Sequence, residues 1–509
     1  MHCAILAGGA GSRLRCDGVD MPKPLVSLDG LPMVDRLIDM MVAAGASQVT
    51  ILVNIAMGEV VDHLRTLKCS VPIDVVTAST PSSMHSLAEL ASRLRGAPFC
   101  LTTVDTIFEF GSFVDLLAEA RWRLAKGALA VMGVTSYVDD EKPLWVSCDS
   151  ARHIVDFLDH SDDAPFVSAG VYCLGDEALE VLDRCLSDGV SRMRNFQRRL
   201  LEHRADAVYA VDMGKVMDVD HASDLEAAAA FVSDSSHVVL GVERATRFSV
   251  NSEAKDRAIY EEVVDLFRRR GYTAIECGED HLTPEVVRLS DHVFTMGRDK
   301  AALHILKEYV RSDVRVVNTV ESLLRRDRWT HYRLLCDASV AMPRSVVVAC
   351  DSPGVLPFVG WLKRIDGVSE AAEDVRFVDS DKALKCACAQ YLARGFGQVL
   401  LMKHVEGFEV KCYGIGDHCF SWRYTDPKED RRFSGKRALD LPERPLDELA
   451  LKMFVAHAAH VVGLSVYGAD VIVTDSDRFV LIDMNDFPSF SGRVESAAEA
   501  IVYNIIGNG

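Results

Sequence analysis

Through the first 232 residues, short apolar runs alternate with stretches whose apolar positions recur at helical spacing. The runs at 3–6, 49–53, 73–76, 99–102 and 128–134 read as strands, and 33–44 and 84–94 as amphipathic helices. Such alternation predicts a mainly parallel sheet covered by helices on both faces. A helix over 222–232 runs into Ser233-Asp-Ser-Ser-His237, a small polar linker, so a first domain is expected at 1–232. A second, small α/β segment at 238–320 opens with a strand at 238–242 and a helix at 254–270, stopped by Gly271. Strands at 274–276 and 314–318 complete it. Beyond 321 the pattern changes to helices at 328–337 and 382–394, then strand pairs 399–405 with 408–415 and 466–474 with 478–485. Hairpins of that spacing predict antiparallel sheet and an α+β domain over 321–509.

At 509 residues the chain exceeds what one hydrophobic core supports, in keeping with this division. Hydrophobic residues at 49% and charged ones at 26% exclude a disordered chain. With 75 acidic against 56 basic side chains the net charge is −19, which argues against polymeric nucleic acid and anionic membranes as partners. A phosphate-bearing ligand must therefore meet locally gathered positive charge. No apolar run approaches the ~20 residues of a membrane span, and the first residues lack a basic segment before an apolar one, which predicts a cytoplasmic protein. The 14 cysteines are scattered without a Cys-x-x-Cys, so they read as small buried hydrophobes. Self-association is left open.

The first strand leads into Leu6-Ala7-Gly8-Gly9-Ala10-Gly11-Ser12-Arg13-Leu14, with Pro22-Lys23-Pro24 shortly after. Glycines let the backbone turn tightly and offer N–H groups to phosphate oxygens, while Arg13 and Lys23 supply charge. An anion cradle at the carboxyl end of a first strand is where open α/β sheets bind ligands. This combination resembles the nucleotidyltransferases that make nucleoside-diphosphate sugars, and the resemblance covers residues 1–232. It implies a Rossmann-like domain, nucleotide contacts at Leu6, Gly8, Gly9, Gly11 and Ser12, and catalytic roles for Arg13 and Lys23.

Asp105, ending Leu101-Thr-Thr-Val-Asp105, and Asp218, in Met217-Asp-Val-Asp-His221, correspond by that resemblance to a carboxylate pair holding Mg2+ against the nucleotide phosphates. Hard oxygen ligands suit Mg2+, with Mn2+ as its substitute. Asp218 also reads as a helix cap, a role that Asp220 or His221, nearer the helix start, fills as well. Thr80-Pro-Ser-Ser-Met-His-Ser86 reads either as a base-recognition loop through Ser83 and Ser86 or as a plain cap. Gly170, in Val167-Ser-Ala-Gly170-Val-Tyr172, falls where the family binds its acceptor. The Glu-Lys-Pro that many members place before this strand is replaced by Phe157-Leu-Asp-His160; Lys142 is a substitute or a solvated loop lysine. An acceptor other than an ordinary hexose phosphate follows as an option.

Near the C-terminus, Gly468-Ala-Asp470 and Leu481-Ile-Asp483-Met-Asn485-Asp-Phe-Pro488 read as adjacent strands bearing oxygen ligands. Asp483 and Asn485, two apart, share a strand face, and Asp470 can lie beside them, a set suited to one or two Mg2+ ions. The segment resembles the ATP-grasp superfamily, closest to its inositol trisphosphate kinase branch, with 238–320 as the preceding pre-ATP-grasp α/β subdomain. That resemblance implies Lys363 reaching ATP phosphates, Lys403 and Val405 at the adenine hinge, and Lys411 facing phosphate. Met402-Lys403 departs from the usual Gln-Glu of the hinge. Arg423, Arg431, Arg432 and Lys436 form a basic cluster that either clamps an anionic acceptor or is solvated. His457 and His460 share a helix face without a third metal ligand.

The whole reads as a fusion of two enzymes that use ATP and a second NTP. The ATP-grasp half phosphorylates a small polar substrate, and the nucleotidyltransferase half joins that phosphate to a nucleotide with release of pyrophosphate. The alternatives are a carboxylate–amine ligase in the C-terminal half, or one half reduced to a nucleotide-binding regulator.

Overall fold

Strand His2–Ala7 is buried from its second residue to its last, as expected of a strand covered on both faces. It pairs in parallel with Gln48–Asn54 on one side and Phe99–Thr103 on the other. In this computed structural model, residues 1–138, 142–160, 164–234, 237–249, 252–367, 372–417, 419–425 and 446–507 are described. They fall into two compact units, Met1–Val238 with Thr283–Leu289, and Val239–Leu282 with Ser290–Gly509.

The first unit is built on a nine-stranded sheet. Its parallel part, with Ile73–Ala78 at one edge, is the sheet anticipated from the apolar runs. The remainder is mixed: Phe166–Leu174 runs antiparallel to both Phe99–Thr103 and Ala130–Thr135, while Val208–Asp212 pairs in parallel with Ala130–Thr135. Helices Met33–Ala43 and Ser83–Leu94 lie within a residue or two of their expected bounds. A separate ribbon pairs Thr106–Phe108 with Val216–Asp218, which brings the segment before helix Ala222–Asp234 back to the end of the central strands.

The second unit contains a four-stranded sheet including Val238–Glu243, His292–Thr295 and Arg315–Val317, paired in parallel, and two antiparallel four-stranded sheets. The expected separation at 320 is not a boundary between units. Val239, Ile259, Phe267 and Phe294 share one apolar core with Ile415, Val466, Phe487 and Ile501, so the α/β segment and the later strands are packed as one.

One expected hairpin is absent. Gln398–Lys403 pairs with Ser345–Ala349 and Gly360–Arg364, whereas Phe408–Ile415 belongs to the other sheet, between Cys419–Tyr424 and Val466–Val473. The chain changes sheets at 404–407, where Gly407 at φ 146° lies so close to Val473 that a Cβ would overlap its carbonyl. The second hairpin is real: Val466–Val473 pairs antiparallel with Phe479–Asp486. A β-bulge interrupts it, because Asp470 pairs with Asp483 but Val471 with Leu481, leaving Ile482 without a partner.

Candidate functional sites

In the first unit the glycine loop borders a 500 Å³ cavity lined by residues 6–13, Lys23, Asn54, 79–83, Ser86, Asp105 and Asp220. Leu6, Gly8, Gly9, Gly11, Ser12, Arg13, Lys23, Ser83 and Ser86 are thus brought together around one space. Two glycines are required by their surroundings. A Cβ on Gly8 would stand 2.8 Å from the Leu52 side chain, and Gly11 has φ +60°. Asn54 donates to the Gly8 carbonyl at 2.8 Å and fixes the loop. Thr80 and Ser86 hydroxyls meet at 2.6 Å. Ser82, the N-cap of helix Ser83–Leu94, makes no side-chain capping bond, so capping does not account for these hydroxyls.

Lys23 is buried and donates to Asp105 at 2.5 Å and to Asp220 at 3.0 Å; Arg13 donates to Asp220 at 2.7 Å. Burial opposes the lysine's charge, but Asp105 and Asp220 outweigh it and raise its pKa. Burial likewise opposes the Asp220 charge, and Lys23 and Arg13 nonetheless hold that carboxyl below its usual range.

Asp218 does not line this cavity; Asp220 does. Capping is what the sequence assigned to the Asp220–His221 end, and the structure gives it to others. Asp224 accepts from the N–H groups of Asp220 and His221, and Asp17 from that of Ala222, which leaves the Asp220 side chain for Lys23 and Arg13. Val219, between the two aspartates, donates to the Asp105 carbonyl at 3.1 Å, and Asp218 stands opposite Thr106 on an exposed position. Gly170, at φ +73°, lies against Thr106 and outside the cavity lining, and Lys142 is exposed outside it too. The sequence reading missed Asn54 and gave Asp220 only a capping role; the repeat Asp218-Val-Asp220 was the available signal.

In the second unit a 520 Å³ cavity is lined by Lys363, Lys403, Val405, Lys411, Asp470, Asp483 and Asn485, so seven expected residues converge. Lys363 donates to the Ile482 carbonyl at 2.9 Å and approaches Asp483 at 3.4 Å. Arg328, not anticipated from the sequence, contacts Asp483 at 3.1 Å through Nη2 and also donates to the Arg364 carbonyl at 2.9 Å. A cation in the first turn of helix Arg328–Asp337 is unfavourable to the helix dipole, and that misplacement was the readable signal. Burial works against the charge of Asp483, yet Arg328 and Lys363 hold its carboxyl well below the usual range. Burial, with Glu409 and Asp483 close by, pushes Asp470 upward.

At the hinge, Lys403 and His404 donate their N–H groups to Arg344 and Val359, and the Trp361 indole donates to His404 at 3.2 Å. Arg423, expected to hold an acceptor, is exposed opposite Lys411 and is not part of the lining, because Lys411 takes the inner strand and Arg423 the outer one. Arg431, Arg432 and Lys436 lie outside the described residues. His457 approaches the Ala338 carbonyl, and both it and His460 are exposed.

No group of three or more His, Cys, Asp or Glu side chains poised for a metal occurs among the described residues. Asp105 and Asp220 in the first cavity, and Asp470 and Asp483 with the Asn485 amide in the second, fit Mg2+, which keeps several waters and takes its other oxygens from phosphates. No helix among the described residues is long and apolar enough to cross a membrane.

The MobA-like NTP transferase domain family matches residues 3–207, the stretch that carries the glycine loop, Lys23 and Asp105. Residues 3–207 are a nucleotidyltransferase domain. Among curated relatives, the mannose-1-phosphate guanyltransferase of Eremothecium gossypii is 25% identical over 36% of this chain and 52% of its own length. That of Gibberella zeae is 31% identical over 26% of this chain and 38% of its own. The chain therefore spans about half, or less, of the curated relatives it matches. The solved inositol-1-phosphate CTP transferase from T. maritima superposes with a TM-score of 0.37 at 19% identity, covering 45% of this chain and 95% of that one.

Proposed function

We propose that the chain is a two-activity enzyme. The nucleotidyltransferase domain transfers a nucleotidyl group from an NTP to a small phosphate-bearing metabolite. The C-terminal unit is an ATP-grasp phosphotransferase, nearest the inositol trisphosphate kinase branch, that phosphorylates a small polar substrate: a sugar, a polyol or an amino-acid-like molecule. Its product then serves the first domain.

The observation that carries the reading is the meeting of Lys23, Arg13, Asp105 and Asp220 at the rim of the glycine loop. In the transfer an oxygen of the acceptor phosphate attacks the NTP α-phosphorus, the α–β bridging bond breaks, and pyrophosphate departs. Arg13 and Lys23 stand where its growing negative charge is stabilised, and the loop N–H groups orient the phosphates. Mg2+ held by Asp105 and Asp220 would supply Lewis-acid neutralisation of the same charge. In the second unit the parallel support is the convergence of Lys363, Arg328, Asp470, Asp483 and Asn485 beside a hinge bearing Val405. Lys363 and Arg328 would hold the β- and γ-phosphates while a substrate hydroxyl oxygen attacks the γ-phosphorus, the β–γ bridging bond breaks, ADP leaves and the hydroxyl proton is released to solvent.

The test is pyrophosphate release from a panel of NTPs and phosphorylated metabolites, beginning with GTP and mannose 1-phosphate because the relatives carry that activity in their names. Release that needs both partners and disappears in Asp105→Asn is expected; release indifferent to that change overturns the site. For the C-terminal unit, ADP formation with a stable phosphorylated product is expected. Orthophosphate release that depends on an added amine would mark a ligase instead.

A further inference from the structure

Along the hairpin Val466–Val473 and Phe479–Asp486 the parts of the second cavity follow a fixed order. Ile472 lies against Gly407 at the hinge end. Asp470 and Asp483 come next, then Gly468 opposite Asn485, with Pro488 packed on Gly468. Asp486, the last residue of the strand, is clasped by Arg298 through Nε at 3.2 Å and Nη2 at 2.7 Å. At about 3.3 Å per residue, Asp483 to Asp486 carries the cavity roughly 10 Å beyond the phosphate end, away from the base.

Arg244, Arg298, Ser252 and Ser489 line this far end between the apolar walls of Phe248 and Pro488, together with Asp256, whose carboxylate is taken up by Arg244 and Ser249. Arg244 is spent on its surroundings, donating to Asp256 and to the carbonyls of Met296, Asp486 and Phe487. Arg298 is not. Its side chain is only 11% exposed, and with Nε and Nη2 engaged by Asp486, its Nη1 has no acceptor among the described residues. Ser252 is the N-cap of helix Glu253–Arg269 yet makes no capping bond, which leaves its hydroxyl for the cavity. A guanidinium edge in a desolvated pocket, flanked by serine hydroxyls, is complementary to a planar or tetrahedral oxyanion.

We propose that this end of the cavity recognises the acceptor of the C-terminal unit through a carboxylate or phosphate. The oxyanion is held by Arg298 Nη1 with the Ser252 and Ser489 hydroxyls, and the group to be phosphorylated lies back toward Asp483. The proposal rests on the nucleotide reading of this unit and narrows its substrate to small molecules already bearing an acid group.

The experiment is calorimetric titration of inorganic phosphate, and separately of malonate, into the full chain saturated with Mg2+ and AMP-PNP. At least one is expected to bind, and which of the two does so tells phosphate from carboxylate. Ser252→Ala combined with Ser489→Ala should weaken that binding at least tenfold, and Arg298→Met further, with AMP-PNP affinity changed less than twofold. The serine pair, which carries no buried ion pair, keeps the test open if Arg298→Met unfolds. Failure of both oxyanions to bind, or binding unchanged in the serine variant, overturns the proposal. AMP-PNP binding that is absent, or indifferent to Asp483→Asn, overturns the nucleotide reading instead, and the serine dependence of oxyanion binding is then read on its own.

Discussion

Lys23 and Asp105, 82 residues apart in the chain, meet at 2.5 Å, and the same ammonium reaches Asp220 at 3.0 Å. A lysine thus occupies the space between the two carboxylates proposed as metal ligands. Lys23→Met should lower pyrophosphate release by about 10²–10³-fold, the usual effect of removing one donor to developing charge. It should also tighten nucleotide-free Mn2+ binding, because a competing cation has gone. Paramagnetic relaxation of water protons measures the second effect, and weaker Mn2+ binding would show that the lysine supports the carboxylate pair rather than competing for it.

Asp218 and Asp220 make a second comparison. Asp220→Asn should reduce nucleotidyl transfer at least 100-fold, and Asp218→Asn less than tenfold, since only Asp220 lines the cavity. Steady-state rates for the two variants decide it, and the reverse ranking returns the metal role to Asp218.

Arg328 sets the charge of Asp483. Arg328→Met leaves that buried carboxylate with Lys363 alone. The expected loss is roughly 2–3 kcal/mol of stability, below the 3–5 of a fully orphaned buried charge because one cation remains. Denaturant unfolding measures it. A neutral result would mean that Asp483 is solvated without its arginine.

His331, one turn beyond Arg328, is buried, and its Nε2 has no hydrogen-bond partner in the described structure. Burial lowers its pKa from 6.5. The folded state therefore holds fewer protons than the unfolded one, so this contribution to stability is complete above pH 6.5 and is lost as pH falls toward the folded pKa. His331→Gln should flatten that part of the stability profile between pH 7.5 and 5. Parallel profiles for the two proteins would remove His331 as the cause.

The glycine loop, Lys23 and Asp105 were readable because local spacing carries their chemistry; the loop and Asp105 follow the ends of buried strands whose apolar runs mark them, and Lys23, opening the short helix Lys23–Leu25, stands between two prolines. Asp483 and Asn485 were readable for the same reason. Asp220 was assigned only to capping, because its role depends on Asp224 and Asp17 satisfying the helix start. The change of sheet at 404–407 looked like a hairpin because both strands have hairpin spacing, and only the packing of Gly407 on Val473 separates them. Arg298 and Arg244 were silent, since a buried arginine is recognisable only through partners distant in the chain.

The bulge at Ile482 has a consequence for how this chain can vary. The extra residue withdraws one carbonyl from the ladder, and that carbonyl is the one Lys363 grips. Removing a single residue there would close the ladder, release the lysine and turn the preceding side chains to the opposite face relative to Asp483. Substitutions along this strand can be absorbed one at a time, but its length cannot change, so the spacing from Leu481 to Asp483 is a stricter signature of the site than the identity of the residue between them.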